Sequence, residues 1–319
     1  MSGLRAYRAL SLGGAIFLMA SGVTQGSDDP AVRITPLPGR AVRADLRADC
    51  NLVLVPVSVT DPRNRAVTGL ARDAFRIFDE KAEQRVVHFT EEDAPISIGI
   101  VFDSSRSMTA KMPQARAAVA EFLRNSNPED EFFLVNFNDR AELVVPFTNN
   151  PGDLQDRLLE TSAAGRTALM DGVYLALDAM KGAANSRNAL LVVSDGGDND
   201  SRYSEGELRR RLRETSVAIY ALGIYQHGAA VLPEEERGGP KLLDDLAGQS
   251  GGRHFPVTDL ASLPQAAAQI GLELRNQYVL GYSPIEGSND GRYHRVQVKL
   301  VGQGNLHVTS RPGYLAPEQ

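Results

Sequence analysis

The chain has a single cysteine, Cys50, among its 319 residues. One cysteine cannot form an intrachain disulfide, and it excludes every zinc or iron–sulfur site that needs several thiolates. A metal ion bound by this chain must therefore be held by oxygen or histidine ligands. We expect Cys50 itself to be a small, partly buried residue at the start of the first strand.

The chain also lacks an excess of basic residues. Its 34 Lys and Arg residues are outnumbered by 40 Asp and Glu residues, which gives a net charge of −6. Because binding to nucleic acid depends on neutralising phosphates with Lys and Arg, we do not expect nucleic acid as a partner. The remaining composition, with 42% hydrophobic and 23% charged residues, is typical of a globular protein, and the length suggests two domains.

Long hydrophobic runs are absent, since no segment stays apolar over the roughly 20 residues that a membrane-spanning helix needs. The apolar stretch Ala9–Ala20 follows Arg5 and Arg8 and precedes small residues up to Gly26. This order is typical of a secretory signal peptide over residues 1–26. We therefore expect an exported protein, periplasmic or extracellular, with no transmembrane span in the mature chain; an uncleaved N-terminal anchor is the alternative.

After this segment the chain divides into regions with different patterns of apolar and polar residues. Residues 27–49 are polar, contain proline and show no periodicity, so they are interpreted as a linker or extended arm. Residues 50–94 and 277–315 carry short runs in which apolar and polar residues alternate, broken by turn-forming residues. Such runs predict antiparallel strands.

Residues 95–276 alternate apolar strands with segments of helical period. This order predicts an α/β fold of Rossmann-like type, with a mainly parallel central sheet and helices on both faces. The strands within ISIGIVFD and NALLVVSD show no polar alternation, so we expect them at the centre of the sheet, buried on both sides.

Carboxyl and hydroxyl side chains follow these two apolar strands, at the edge where α/β sheets bind ligands. The first strand leads into DSSRS, the second ends at an aspartate, and the loop SAAGRT carries a threonine directly before a helix. The candidate site residues are Asp103, Ser105, Ser107, Thr167 and Asp195. All of them offer hard oxygen ligands, which suit Mg²⁺ or Mn²⁺. Two carboxylates balance the charge of a divalent ion, and a remaining coordination position can accept a carboxylate from a partner.

These residues and their order resemble the von Willebrand factor type A (VWA) domain and its metal-ion-dependent adhesion site. The family's D-x-S-x-S matches Asp103, Ser105 and Ser107, its loop threonine matches Thr167, and its later aspartate matches Asp195. The resemblance implies that these five positions bind the metal directly or through water and that an acidic group of a protein or other macromolecule completes the coordination. We expect Gly165 and Asp198 to support the site without being ligands.

The resemblance extends to the β-rich ends, which are similar to those that flank the VWA domain in secreted bacterial members of the family. It implies that residues 50–94 and 277–315 pack together as a β-sandwich-like portion, with the VWA domain of residues 95–276 inserted between them. It also implies that the helix near residues 260–276, which closes the domain, can shift and change affinity at the metal site.

The three loops do not carry the residues that an enzyme of the common types would need. The sequence has no P-loop, and none of its histidines lies in the three loops. We therefore expect a binding module for adhesion or another protein–protein interaction, and not an enzyme. Two alternatives remain open: a Mg²⁺-dependent hydrolase with Asp198 as general base, and a cell-envelope scaffold in which the metal only stabilises the loops.

Overall fold

A computed structural model of the chain describes residues 52–91, 93–225, 238–284, 290–302 and 304–318. The expected signal peptide, the expected linker and Cys50 lie outside the described residues. Four strands come first: β1 (Val53–Thr60), β2 (Phe75–Asp79), β3 (Ala82–Gln84) and β4 (His88–Thr90).

The α/β region follows these strands. Its strands are β5 (Ile96–Asp103), β6 (Glu131–Phe137), β7 (Ala141–Thr148), β8 (Arg187–Ser194), β9 (Ala218–Ile224) and β10 (His254–Val257). Its helices are α1 (Met112–Arg124), α2 (Pro151–Glu160), α3 (Leu169–Ala179), α4 (Glu205–Arg213), α5 (Gly239–Ser250) and α6 (Leu263–Arg275). The described part of the chain ends with β11 (Tyr278–Tyr282), β12 (Tyr293–Leu300), β13 (His307–Ser310) and β14 (Gly313–Leu315).

The six strands of the α/β region form one sheet in the order β10-β9-β8-β5-β6-β7. Neighbouring strands run parallel except β7, which pairs antiparallel with β6. Every residue of β5 is buried because helices cover both faces of the sheet. Helices α1, α2 and α6 pack on one face, and α3, α4 and α5 pack on the other. The predicted fold class is confirmed, with a mixed but mainly parallel sheet.

The two β-rich ends of the chain build two further sheets, β13-β1-β11-β4 and β14-β12-β2-β3. Each sheet combines strands from both ends, since β1 pairs with β11 and β2 pairs with β12, both antiparallel. A separate apolar core, which includes Val57, Phe75, Tyr278 and Val298, is made of residues from these two sheets. We call this part the sandwich. The domain boundaries drawn from the sequence stay predictions.

Arg187 joins the places where the chain passes between the sandwich and the α/β region. Its guanidinium donates to the carbonyl of Ala94, just before β5, and to the carbonyl of Leu274 at the end of α6. It also donates to Oε1 of Gln277, just before β11 (3.1 Å). The two chain connections therefore lie side by side, at the end of β5 opposite to Asp103.

A second contact ties α6 to the sandwich through buried polar groups. Glu273 of α6 forms an ion pair with Arg253 and accepts a hydrogen bond from the Tyr220 hydroxyl. The amide of Gln277 donates to the Tyr220 hydroxyl and to Ser58 of β1. Because these groups belong to both parts of the molecule, α6 is held against the sandwich as well as against the central sheet.

None of the helices in the described part of the chain is both long enough and apolar enough to cross a membrane.

Candidate metal site

The candidate site lies where β5 and β8 end, because both strands run in the same direction and deliver their last residues to one edge of the sheet. Asp103 is the last residue of β5 and is fully buried, and Asp195 follows β8 and is 4% exposed. Neither aspartate caps any of the described α-helices. Helix capping, the simplest structural role for such aspartates, therefore does not account for them.

Main-chain hydrogen bonds join the three loops that carry the predicted site residues. In the first loop, the amide of Arg106 donates to the carbonyl of Gly165 (3.2 Å), and the Ser104 carbonyl accepts from the second loop at Ala164 (2.9 Å). The second loop is joined to the third because the Thr167 carbonyl accepts from the amide of Asn199 (2.9 Å). The side chain of Asn199 accepts from the Thr167 amide in return (3.0 Å).

The Asp103 carboxylate is oriented by the residues around it. Its Oδ1 accepts a hydrogen bond from the amide of Ser105 (2.8 Å), and its Oδ2 accepts from the hydroxyl of Ser194 (2.6 Å). The hydroxyl oxygens of Ser105 and Ser107 lie 3.0 Å apart. Burial, together with the negative charge of Asp195, raises the pKa of Asp103 to about 7. Because the charge of Asp195 makes ionisation of Asp103 costly, a cation placed near Asp103 would be favoured.

The two oxygens of Asp195 have different surroundings. Oδ2 accepts from the Lys111 ammonium at 2.8 Å, within a salt bridge whose two side chains are almost fully buried. Oδ1 is buried and has no hydrogen-bond partner among the described residues. A buried carboxylate oxygen without a partner is costly, and coordination of a cation is one way to satisfy it. This unsatisfied oxygen and the oxygen-only donor set fit a hard divalent ion such as Mg²⁺.

Carboxylates alone would not identify such a site. Among the described residues, no group of three or more His, Cys, Asp or Glu side chains is arranged to hold a metal ion. The donor set that the fold assembles instead combines two carboxylates with hydroxyl groups, and Thr167, 5% exposed, belongs to the loop joined to the other two. A metal ion bound here would therefore need serine and threonine oxygens in addition to the two carboxylates.

Gly165 and Asp198 support the loops. Gly165 adopts a φ of +75°, and an added Cβ would lie 2.5 Å from a carboxylate oxygen of Asp139. Asp198 Oδ2 accepts from the amide of Met170 in α3 (2.8 Å) and from the Ser201 hydroxyl (2.6 Å). Burial raises the pKa of Asp198. The contact with Met170 fixes the loop of Asp198 to the start of α3, and the contact with Ser201 lies within that loop.

Sequence reasoning missed Lys111 and Ser194. Ser194 could have been predicted to lie near the site, because it stands directly before Asp195 at the end of an apolar strand. Lys111 gave none, because its partner lies 84 residues further along the chain and becomes a neighbour only in the folded sheet.

Part of the chain is similar to a known protein family. Residues 98–197 match the family model described as the von Willebrand factor type A domain. A protein of Mycolicibacterium paratuberculosis named UPF0353 protein is 24% identical over 226 residues. That match covers 63% of this chain and 66% of the relative, so this chain spans slightly less than two thirds of the relative's length.

Two solved structures are similar to this chain at low sequence identity. The von Willebrand factor type A protein from Catenulispora acidiphila has a TM-score of 0.49 and 14% identity, with 84% of this chain and 74% of that chain covered. An aerotolerance-related membrane protein from Bacteroides fragilis has a TM-score of 0.46 and 17% identity, with 57% and 98% covered. The family-model match and the central sheet with helices on both faces thus support a von Willebrand factor type A domain in this chain, which has a VWA-like α/β fold with additional β-sheets.

Proposed function

We propose that this protein is an exported binding module that holds Mg²⁺ or Mn²⁺ at the loops after β5 and β8 and uses the ion to capture an acidic group of a macromolecular partner. The observation that carries the proposal is the buried pair Asp103 and Asp195, which shares its edge of the sheet with hydroxyl groups and includes an unsatisfied oxygen, Oδ1 of Asp195. In this proposal the ligands are Asp103, Ser105, Ser107, Thr167 and Asp195.

The chemistry of this donor set supports a binding role. Two carboxylates neutralise a divalent ion without adding net negative charge, so the bound ion can still attract an anion. Hydroxyl groups and water are weak, neutral ligands, and one of them can give way to a carboxylate from a partner. Such a site selects partners by an exposed Asp or Glu side chain, or by a chain-terminal carboxylate.

No specific observation favours hydrolysis. The general base that the hydrolase alternative requires is Asp198, and its Oδ2 already accepts hydrogen bonds from Met170 of α3 and from Ser201 of its own loop. The proposed role is therefore recognition without turnover.

Thermal unfolding tests the metal part of the proposal. An ion that binds only the folded state raises the melting temperature by mass action, so Mg²⁺ or Mn²⁺ should stabilise the wild type relative to EDTA. The variant Asp103→Ala should lose this response. The hydroxyl variant Thr167→Ala should weaken it, whereas Thr109→Ala, which removes an exposed hydroxyl bonded only to the Arg106 carbonyl, is the matched control. Equal melting temperatures of the wild type in EDTA and in metal would contradict the proposal.

Binding of acidic peptides tests the partner class. An array of peptides with a central Asp or Glu should bind in Mg²⁺ and not in EDTA, and the same peptides with Asn or Gln at that position should not bind. Metal-independent binding, or equal binding of acid and amide peptides, would show that the acidic group is not captured through the ion.

A further inference from the structure

We infer that Lys111 is a built-in counter-ion of the candidate metal site, which neutralises Asp195 when no ion is bound and lowers the affinity for divalent ions. The inference rests on the proposed function, since it concerns the same site. Its starting observation is the 2.8 Å contact between the Lys111 ammonium and Oδ2 of Asp195. Lysine is almost never fully buried unless it is paired, and here the side chain is 8% exposed.

The position of Lys111 makes the contact specific. The residue stands at the start of α1, directly after the loop that carries Ser105 and Ser107, and its side chain reaches the residue that follows β8. A lysine there is not required by the helix, because its side chain makes no capping hydrogen bond to α1. The Lys111 ammonium instead forms an ion pair with Asp195, a predicted metal ligand.

Charge explains what this contact does. Asp103 and Asp195 are both buried, and two nearby negative charges in such surroundings repel each other strongly. The Lys111 ammonium offsets this repulsion, so the loops can stay assembled without a divalent ion. The same positive charge repels an incoming divalent ion and competes for the Asp195 carboxylate. Lys111 therefore lowers the affinity for divalent ions and keeps the loops assembled both with and without a bound ion.

Titration of Mn²⁺ into the purified protein tests the inference directly. The ion is measured alone, by calorimetry or by electron paramagnetic resonance of free Mn²⁺, for the wild type and for Lys111→Met. We expect Lys111→Met to bind Mn²⁺ about tenfold tighter or more, because a buried positive charge next to the ion is removed. The matched control is Lys181→Met, which removes the same charge from an exposed lysine paired with Asp178; its affinity should equal that of the wild type.

Melting in EDTA supplies a second readout. Without a divalent ion, Lys111→Met leaves Asp195 buried and unpaired, so its melting temperature should fall well below that of Lys181→Met. Mn²⁺ should restore most of this loss. Lys111→Gln, which is neutral but can still donate a hydrogen bond to Asp195, is the second variant if Lys111→Met does not fold, and it should also bind Mn²⁺ more tightly.

The outcomes separate this inference from the proposed function. If the wild type and both Lys111 variants bind Mn²⁺ equally, the metal site stands and the role of Lys111 is wrong. If only the Lys111 variants bind, the counter-ion role is supported and metal-dependent binding by the wild type is contradicted. If none of them binds Mn²⁺, both proposals are overturned.

Discussion

Gly165 meets two constraints that no other residue type satisfies at its position. Its φ of +75° lies in the left-handed region, and the Asp139 carboxylate occupies the space where a Cβ would stand. The same carboxylate accepts a hydrogen bond from the amide of Arg166 at 2.7 Å. The loop that carries Thr167 is therefore shaped by a glycine and an aspartate that are not expected to touch the ion.

Replacing Gly165 by alanine should distort this loop. We expect a loss of about 1 kcal/mol or more in the free energy of unfolding, because alanine is strained at positive φ and its Cβ would displace Asp139. Chemical denaturation measures the loss. Gly69→Ala is the control, since Gly69 has a similar φ of +77° with no atom within 4 Å of the added Cβ. Equal losses at the two positions would mean that the contact with Asp139 contributes nothing.

His294 of β12 is a titratable residue of the sandwich. Its imidazole contacts Asp79 through Nδ1 (3.2 Å) and Asp290 through Nε2 (3.1 Å), and the Asp79 carboxylate also accepts from Tyr282 and Tyr314. Burial by itself lowers the pKa of His294, but the hydrogen bonds to the two carboxylates outweigh it and raise the pKa above 6.5. The protonated imidazole is thus bound more favourably in the folded state.

The stabilising effect of His294 should therefore depend on pH. A raised pKa in the folded state contributes stability below the unfolded pKa of about 6.5, and this contribution disappears as the pH rises through the folded pKa. The difference in melting temperature between the wild type and His294→Gln should be larger at about pH 5.5 than at about pH 8.5. His307→Gln, at an exposed position of the sandwich, serves as the control for replacing a histidine. A difference that grows with pH would contradict the assignment.

Helix α6 is joined to its surroundings by several ion pairs. Arg275 at its end forms ion pairs with Asp93 and with the buried Asp130, and Glu273 pairs with Arg253. A helix that shifts to change affinity, as the family resemblance implies, would have to break these contacts. Any such shift would have to work against a helix that is anchored to the sandwich as well as to the sheet.

Removing Arg253 should show how strongly α6 is anchored. Arg253→Met leaves Glu273, which is almost fully buried, without its cation, and we expect a loss of about 3 kcal/mol in the free energy of unfolding. The double variant Arg253→Met/Glu273→Met should lose less than the single variant, because no buried charge is left unpaired. A double variant less stable than the single one would mean that Arg253 acts through packing on Phe255 and not through charge.

Sequence patterns predicted the elements well where one physical signal dominated. The unbroken apolar runs of β5 and β8 predicted central strands, and the helical periods predicted α1, α3, α4, α5 and α6. The residues D-x-S-x-S predicted a site at the edge of the sheet where parallel strands end, and that site stays a prediction. Contacts such as Lys111 with Asp195 were not predictable, since they join residues that only the folded sheet brings together.

In the whole molecule, both ends of the chain are needed to complete the sandwich. Strands β1 and β2 come before the α/β region, and their partners β11 and β12 come after it. Apolar residues of both ends form one core. The first strands therefore cannot bury their apolar faces until the last strands have been made.

Truncation tests this dependence. A chain ending at residue 276 leaves β1 without β11 and β13 and leaves β2 without β12, so we expect aggregation and a strong loss of soluble protein relative to the full chain. Soluble yield and circular dichroism measure the effect. The control is a chain shortened by residues 317–319, which leaves β14 intact. A soluble, cooperatively folded protein ending at residue 276 would show that the α/β region does not need the sandwich.

The two adjacent connections held by Arg187 would also share a mechanical load. If a partner binds at the loops as proposed, a pull on it would pass down the sheet and leave the α/β region through both connections at once, before β5 and after α6. Neither connection alone would bear the whole force. The load would then enter the neighbouring strands β4 and β11 of the same sheet, which are joined by backbone hydrogen bonds. Such a protein would hold its partner without the α/β region being opened from one end.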